Sequence, residues 1–341
     1  MLHRGHRGLC GALLLPLLAS CGGGSDPWRQ ETAGAARGPQ ARAATVPPTE
    51  SERIAAAKAT AKGSLCSLIR PFYWEIGDGT GRKVGGALNS SSSTLSYSAK
   101  TPLPYTSASK WLYGAYVAER RAGKLNPDDI RMLTLRSGYH SLTFCAPWQT
   151  VDQCLAYGSN GDYDASADGK YFYDGAHLQK HASVAGLGAK TTGGLANAVK
   201  GKLGDDIAIK YSQPQPAGAA VGTPDDYARF LRKLLNGQLY LSALLGSNAV
   251  CTSSRVCPGQ AIFNPMPADE AWEYSIAHWI ESDPVKGDGS FSSPGVSGFY
   301  PWIDASRTYY GIVARNVTNG VPESVHCGQA IRAAWLTGIA R

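Results

Sequence analysis

Apolar positions on the N-terminal side of the chain predict a helix followed by a β-hairpin. A helical pattern runs over 51–62 and stops at Gly63. Two strand-like runs follow, 72–76 and 82–88, and the glycine-rich stretch 77–81 between them is typical of a turn.

Strand-like patterns return near the C-terminus. Runs over 274–280, 298–303 and 309–315 are apolar or alternate over strand lengths, and a final helix is predicted over 324–338. Strands at both ends of a chain, with helices between them, are typical of one sheet to which both ends contribute. We therefore expect an α+β fold, an α/β sandwich whose antiparallel sheet is built from both termini and flanked by the terminal helices.

The stretch from 124 to about 245 has helical periodicity interrupted by loops, and we expect it to be a helical region inserted into the sheet domain. Its clearest helix is bounded by Thr223 and Gly237. Thr223 suits the N-cap, Pro224 the first turn and Gly237 the C-terminal stop. The apolar stripe of this helix is predicted to be core: Tyr227, Phe230, Leu231, Leu234 and Leu235. A second buried helix is indicated near 127–135.

Composition and charge exclude some classes of function. The 341 residues are 43% hydrophobic and 17% charged, and the net charge of +7 is spread without a Lys/Arg cluster, so no nucleic-acid partner is expected. No Cys-x-x-Cys pair occurs and the histidines are scattered. Neither a metal nor another cofactor is predicted.

The first residues have the layout of an export signal. Basic residues precede an apolar run from Leu9 to Leu18, which is too short to span a bilayer. The run ends Leu18-Ala-Ser-Cys21 and resembles the bacterial lipoprotein signal, in which the cysteine is lipidated. An ordinary cleaved secretory peptide is the alternative.

The lipoprotein interpretation divides the chain into a signal peptide over 1–20, a disordered tether over 21–50 and a folded domain over 51–341. It implies a lipid anchor at Cys21 and a place in the bacterial cell envelope. Because Gly22 and not an acidic residue follows the cysteine, the outer membrane facing the periplasm is expected; secretion is the other possibility.

Six cysteines remain for the exported domain, and an even number in such a chain indicates disulfides. Six cysteines allow 15 pairings. Local spacing favours Cys145–Cys154 and Cys251–Cys257, which leaves Cys66–Cys327 to join the start of the domain to its end.

A Ser-x-x-Lys sequence is the first candidate for catalytic chemistry. Ser107-Ala-Ser-Lys110 lies at the predicted start of a helix, after Pro102 and Pro104. Helix positions three apart share a face, so Ser107 Oγ and Lys110 Nζ can meet. A serine needs an adjacent base to act as a nucleophile, and a desolvated lysine can serve. The same sequence also arises by chance, in which case Lys110 is simply solvated.

With its elements in this order, the chain resembles the serine β-lactamase and penicillin-binding superfamily, specifically its β-lactamase-related serine hydrolases, over roughly 66–340. The first motif is Ser107-Ala-Ser-Lys110, which implies Ser107 as nucleophile and Lys110 as its activating partner. The second motif, Tyr-x-Asn, is matched by Tyr173-Asp-Gly175. The resemblance implies that Tyr173 shuttles a proton, whereas Gly175 lacks the amide that contacts substrate.

The third motif of the superfamily is Lys-Thr-Gly, on a strand that lines the site. Here Ser293-Pro-Gly295 keeps only the glycine. The resemblance implies that Gly295 lets this strand approach substrate and that the Val296 N–H joins that of Ser107 in an oxyanion hole. Gly175, Ser293 and Gly295 are thus the predicted substrate-binding positions. Since Pro294 has no N–H, an edge strand is expected.

Other residues are weaker candidates. His140, His177 and His181 invite a Ser-His triad, but none has a Gly-x-Ser-x-Gly context with a placed acid. We expect a structural role for His177, a helix cap at Asp174 and a core position for Trp111.

The resulting hypothesis is a serine hydrolase of the cell envelope that cleaves an ester or amide through an acyl-enzyme at Ser107. The superfamily lysine helps to hold a substrate carboxylate and Ser293 cannot, which favours an esterase or amidase. A D,D-peptidase or β-lactamase acting on peptidoglycan stems or β-lactams remains an alternative. So does a non-catalytic module that binds peptidoglycan or a partner. A monomer is expected, with a small ester, amide or peptide as substrate.

Overall fold

A computed structural model describes residues 47–267 and 270–341, so the predicted signal peptide, Cys21 and most of the predicted tether lie outside the described residues. Its helices are α1 (Glu50–Lys62), α2 (Ser64–Ser67), α3 (Ser109–Arg120), α4 (Pro127–Leu133), α5 (Val151–Leu155), α6 (Ala176–Ala182), α7 (Thr192–Leu203), α8 (Pro224–Leu235), α9 (Leu241–Leu244) and α10 (Val321–Thr337). A 3₁₀ turn (Thr106–Ala108) precedes α3, and a π-helical turn (Ser183–Leu187) follows α6.

The strands are β1 (Phe72–Asp78), β2 (Gly81–Leu88), β3 (Leu103–Pro104), β4 (Ser137–Tyr139), β5 (Tyr163–Asp168), β6 (Tyr171–Phe172), β7 (Lys210–Tyr211), β8 (Ala220–Gly222), β9 (Val250–Cys251), β10 (Ala261–Phe263), β11 (Glu273–Tyr274), β12 (Trp279–Ile280), β13 (Phe291–Ser292), β14 (Tyr300–Ile303) and β15 (Tyr309–Ala314).

Eight strands form one antiparallel sheet in the order β2-β1-β15-β14-β13-β12-β11-β9. The N-terminal hairpin β1–β2 joins the C-terminal strands through β15, with Tyr73 opposite Ala314 and Asp78 opposite Tyr309. Both ends of the described chain therefore build the sheet, and the predicted fold class is confirmed.

Helices cover both faces of the sheet. From α8, the Arg232 guanidinium donates a hydrogen bond of 3.1 Å to the Tyr310 hydroxyl. From α10, a Cβ at Gly328 would lie 2.5 Å from the Tyr300 ring and 3.3 Å from Val313 Cγ2. Tyr310 and Val313 are three positions apart on one strand and so point to opposite faces. Since α1 packs beside α10, the terminal helices flank the sheet as predicted.

A buried charge pair fixes α10 against the sheet. The Arg332 guanidinium lies 2.6 Å from Glu281 Oε2, and both side chains are fully enclosed. Arg332 also pairs with Asp288 at 2.7 Å and donates to the Tyr300 hydroxyl at 2.8 Å. Because the pair is hydrogen-bonded on both sides, its charges are compensated inside the protein.

The region between the two halves of the sheet holds α4 to α9, together with short strands that form small separate sheets: β3-β8-β7, β4-β5 and a parallel pair of β6 with β10. The helix predicted between Thr223 and Gly237 is confirmed as α8. Thr223 and Asp226 form a capping box at its start. At its end, Gly237 has a positive φ of 66°, a conformation that glycine adopts without strain.

The prediction of one strand over 274–280 is wrong. The stretch is a tight hairpin of β11 and β12, closed by a hydrogen bond of 2.8 Å from the Ser275 N–H to the His278 carbonyl. Ala277 in the turn has φ 55°. Both arms and the turn are buried, so the apolar pattern did not reveal the reversal of direction.

The prediction of an edge strand around Pro294 is also wrong. β13 lies inside the sheet, between β12 and β14. It ends at Ser292, and Pro294 belongs to the loop that leads to β14. Pairing toward β14 continues past Pro294, since the Ser293 N–H donates to the Pro301 carbonyl at 3.3 Å and the Gly295 N–H to the Phe299 carbonyl at 2.8 Å. Alternate residues of an antiparallel strand donate to the same neighbour, so the N–H that Pro294 lacks costs none of these hydrogen bonds.

All three expected disulfides are present: Cys66–Cys327, Cys145–Cys154 and Cys251–Cys257. The first joins α2 to α10 across 261 residues of sequence, and both of its cysteines are buried. It therefore links the two terminal helical segments that cover one face of the sheet.

We predict that the paired substitution Cys66→Ala and Cys327→Ala destabilises the protein more than the pair Cys251→Ala and Cys257→Ala. Loop lengths of 261 and 6 residues correspond to about 5.6 and about 2 kcal/mol of unfolded-state entropy in the chain-entropy model. Urea unfolding at neutral pH measures both losses. Equal losses, or a larger loss for the short loop, would contradict this role for Cys66–Cys327.

Candidate active site

Ser107 lies on a constrained turn at the start of α3. Thr106, which precedes it, has φ 47°, a positive value that a β-branched residue rarely adopts. Tyr105 is buried beneath the turn, where its hydroxyl donates to the Thr223 carbonyl at 2.7 Å and its ring meets the edge of Tyr227. These contacts hold the turn in its strained conformation.

Lys110 reaches back along α3 to Ser107. Its Nζ lies 3.2 Å from Ser107 Oγ and donates to the Ala217 carbonyl at 3.1 Å. Lys110 is only 4% exposed, so these contacts are made away from bulk water. The structure therefore brings the predicted nucleophile and its predicted partner into hydrogen-bond contact.

Tyr173 meets Lys110 through its ring. Lys110 Nζ lies 4.7 Å from the ring centroid, and the ring stacks on Trp279 at 5.3 Å. Among the described residues, no hydrogen bond joins the Tyr173 hydroxyl to Ser107 or Lys110. The structure thus places Tyr173 beside the pair with its face toward Lys110 Nζ.

The loop after β13 packs directly on the turn that carries Ser107. Ser293 Oγ donates to the Ser107 carbonyl at 3.2 Å, and Ser297 Oγ donates to the Pro104 carbonyl at 3.1 Å. A Cβ at Gly295 would overlap the Tyr105 carbonyl oxygen and Thr106 Oγ1. The loop therefore needs glycine at this position to come so close. The segment that it approaches is the turn that carries Ser107, whereas the prediction was an approach to substrate.

Ser107 and Val296 lie in the wall of the same cavity. Within the described part of the chain, neither of their N–H groups is used in a backbone hydrogen bond. Both are thus free to donate to an oxyanion.

Gly175 lies where the superfamily motif has asparagine. A Cβ there would be 2.7 Å from Leu142 Cδ2 and 3.2 Å from Ala217 Cβ, so a larger side chain needs both neighbours to move. Gly175, Ser293 and Gly295 are not among the described residues that line the cavity. Their predicted contact with substrate stays a prediction.

The cavity beside Ser107 has a volume of about 310 Å³. Tyr173 and Trp279 form part of its wall, and Val321 and Val325 from α10 form another part. Among its described lining residues, Glu270 and His326 carry the acidic and the basic group. Sequence reasoning missed Trp279, Glu270 and His326, because they come from distant segments that only the tertiary fold brings together.

The three histidines considered for a triad have other partners. His177 is buried; Ser137 contacts its Nδ1 at 2.7 Å, and its Nε2 lies 2.9 Å from the Phe172 carbonyl. Burial lowers the pKa of His177 to about 3. His140 pairs with Asp164 and His181 with Asp129. All three have structural contacts away from Ser107.

Asp174 acts as the expected cap. Its Oδ1 accepts the Ala176 N–H at 2.7 Å and the Leu142 N–H at 3.1 Å, and burial raises its pKa. Trp111 is buried in the core, as predicted, and stacks on His278 at 5.5 Å.

Within residues 47–267 and 270–341, no three His, Cys, Asp or Glu side chains gather as a metal site would require. No helix in this part of the chain has the length and apolar character needed to cross a bilayer.

Several solved structures have the same fold. EstCE1, a hydrolase with promiscuous acyltransferase activity, is 12% identical, with 84% of this chain and 99% of that chain covered at a TM-score of 0.61. A D-stereospecific amidohydrolase from Streptomyces sp. is 13% identical, with 86% of this chain and 100% of that chain covered at a TM-score of 0.56. FmtA from Staphylococcus aureus is 14% identical, with 83% of this chain and 90% of that chain covered at a TM-score of 0.57.

No protein-family model matches the chain, and no curated protein matches it. The neighbours share the β-lactamase fold, so the fold that the resemblance implied is confirmed.

We predict that His177 stabilises the fold and takes no part in catalysis. Its pKa is lowered below the ordinary 6.5, so the stability it provides is complete above about pH 6.5 and is lost as the pH falls toward 3. The unfolding free energy of the wild type should fall between pH 7 and pH 5. In His177→Gln that fall should be smaller, by at most about 2 kcal/mol.

The measurement is urea unfolding at several pH values, together with labelling of Ser107 by a fluorophosphonate at pH 7. Labelling should persist in the variant. A variant that loses labelling but keeps the wild-type pH dependence of stability would assign His177 to the chemistry instead.

Proposed function

We propose that the protein is a serine hydrolase that cleaves an ester or amide through an acyl-enzyme at Ser107. The observation that carries this proposal is the 3.2 Å contact between Ser107 Oγ and buried Lys110 Nζ in the wall of a cavity. A serine and a desolvated lysine at this distance form a nucleophile with its base. The hydrolases among the structural neighbours support the same reading.

In the proposed first step, Ser107 Oγ bonds to the substrate carbonyl carbon while its proton passes to neutral Lys110. The carbonyl electron pair moves to oxygen, where the N–H groups of Ser107 and Val296 stabilise the negative charge. Collapse of this intermediate breaks the bond to the leaving alcohol or amine, which takes up the proton that Lys110 received. Water then attacks the acyl carbon, the bond to Ser107 Oγ breaks, one proton of the water returns to Ser107 Oγ, and the acyl group leaves as a carboxylic acid.

Lys110 and Tyr173 together are proposed to move the proton to the leaving group. Tyr173 lies against Lys110 in the same cavity wall as Ser107. The proposal requires the Tyr173 hydroxyl to come within hydrogen-bond reach of the leaving group, and positioned proton transfer contributes roughly 10²–10⁴ in rate.

The choice of ester or amide over a carboxylate-bearing substrate rests on Ser293. Its hydroxyl donates a hydrogen bond to the Ser107 carbonyl, and its side chain is buried and uncharged. Ser293 therefore offers no cation to the carboxylate of a penicillin or a peptide. A D,D-peptidase or β-lactamase is the second candidate, favoured by the D-stereospecific amidohydrolase among the structural neighbours. A non-catalytic binding module is the third.

The proposed location is the bacterial cell envelope, with a lipid anchor at Cys21. Three disulfides in the described domain support this location, because such bonds persist in oxidising compartments. The export-signal layout of the first twenty or so residues supports it from the sequence.

We predict that Ser107→Ala abolishes both covalent labelling and turnover. The protein and this variant would be incubated with a fluorophosphonate, a p-nitrophenyl ester and a chromogenic cephalosporin, and labelling would be followed by intact mass. The wild type should gain one adduct and hydrolyse the ester faster than the cephalosporin. A wild type that neither labels nor turns over any substrate would favour the binding module, and a faster cephalosporin reaction the β-lactamase.

We predict that Tyr173→Phe lowers kcat for the ester by at least about 10²-fold with little change in KM. The variant keeps the ring that faces Lys110 and removes only the hydroxyl. Tyr173→Leu is the matched comparison, since it removes ring and hydroxyl together. Wild-type kcat in Tyr173→Phe with a loss in Tyr173→Leu would show that the ring positions Lys110 and that the hydroxyl carries no proton.

A further inference from the structure

The wall of the Ser107 cavity contains a carboxylate that the proposed mechanism does not use. Glu270 lines this cavity and is only 3% exposed. Its Oε2 is buried and has no hydrogen-bond partner among the described residues. A buried carboxylate oxygen without a donor is costly, so a donor that enters the cavity gains by meeting it.

The other oxygen of Glu270 has two nitrogen-bearing neighbours at longer range. His326 Nε2 lies 3.6 Å and Lys286 Nζ 3.8 Å from Oε1. Both distances exceed an ordinary hydrogen bond of about 2.7–3.2 Å. These two side chains are partly exposed, and both contacts are to Oε1. Oε2 is the oxygen that has no donor among the described residues.

The remainder of the cavity suits an apolar chain. Tyr173 and Trp279 supply aromatic rings, and Met266, Val321 and Val325 supply aliphatic surface. An alkyl or aryl acyl group that leads from the Ser107 carbonyl carbon along this wall loses water without losing hydrogen bonds. Aromatic rings also attract cations.

We propose that the cavity selects esters or amides whose acyl group bears a primary ammonium, with Glu270 as the specificity-determining residue. The inference rests on the proposed acyl-enzyme function, because it assigns the cavity to the acyl group held on Ser107. The ammonium donates to Oε2 while the chain between the two ends is covered by apolar surface. An acyl group with a terminal carboxylate meets a like charge there and is rejected.

The test uses three p-nitrophenyl esters that differ at one terminal group: 6-aminohexanoate, heptanoate and the monoester of pimelate. They place an ammonium, a methyl or a carboxylate at the same position. For the wild type we expect kcat/KM for the aminohexanoate to exceed that for heptanoate at least tenfold, with pimelate slowest. A ratio of one or less, or a preference for pimelate, overturns the proposal.

Glu270→Gln keeps the size of the side chain and removes its charge. It should lower kcat/KM for the aminohexanoate at least tenfold and leave heptanoate within twofold. Glu323→Gln is the matched control, since Glu323 is 52% exposed on α10, pairs with Arg315 and does not line the cavity. It should change kcat/KM for neither the aminohexanoate nor the heptanoate ester. Equal effects of the two variants would mean that Glu270 acts through general surface charge, against the proposal.

Binding of n-hexylammonium chloride, measured by ligand-observed NMR, separates the two levels of inference. If no ester is hydrolysed, the proposed function fails, and binding that disappears in Glu270→Gln still supports an ammonium site. If esters are hydrolysed but n-hexylammonium binds wild type and Glu270→Gln alike, the function stands and the ammonium site is rejected. The wild-type ratio of kcat/KM for the aminohexanoate to kcat/KM for heptanoate tests the proposed ammonium preference even if Glu270→Gln does not fold.

Discussion

The geometry of the site depends on one contact between two backbone segments, where the loop after β13 crosses the turn that carries Ser107. There is no room for a Cβ at Gly295, since it would overlap the Tyr105 carbonyl and Thr106 Oγ1. Ser293 and Ser297 fasten the loop to the carbonyls of Ser107 and Pro104. The loop belongs to the sheet and the turn to α3, so this contact sets the distance between the N–H groups of Ser107 and Val296.

The surroundings of Lys110 follow from how the central region folds back onto α3. The Ala217 carbonyl accepts one N–H of Lys110, and the Tyr173 ring covers another side of Lys110 Nζ. In the proposed mechanism Lys110 acts as a neutral amine, which has two N–H groups and one lone pair. Ala217 engages one of those N–H groups, and the lone pair then serves to accept the Ser107 proton. Lys110 is thus oriented by a backbone carbonyl and the face of an aromatic ring, and neither of these groups accepts a proton from it.

Local patterns predicted the parts of this structure that local chemistry determines. Ser107 and Lys110 meet because helix positions three apart share a face, and Thr223 begins α8 because its hydroxyl caps an N–H of the first turn. The disulfides followed from cysteine spacing. The hairpin of β11 and β12 was not predictable, because residues 274–280 are buried through the turn as well as in the strands and no glycine, proline or asparagine marks the turn. Neither was the cavity wall, since Glu270 and His326 approach each other only after α10 docks on the sheet.

The two departures from the superfamily motifs have a common physical consequence. Leu142 and Ala217 occupy the space beside Gly175 where an asparagine side chain would lie. The Ser293 hydroxyl is directed to the Ser107 carbonyl. At both positions, a group expected to contact substrate is replaced by a contact within the protein. What is left to meet the substrate is an apolar wall with the carboxylate of Glu270 in it. In the proposed function, the serine at the lysine position of the motif and the buried Glu270 both act against a substrate carboxylate, so the proposed electrostatic preference is the reverse of the one that the motif implies.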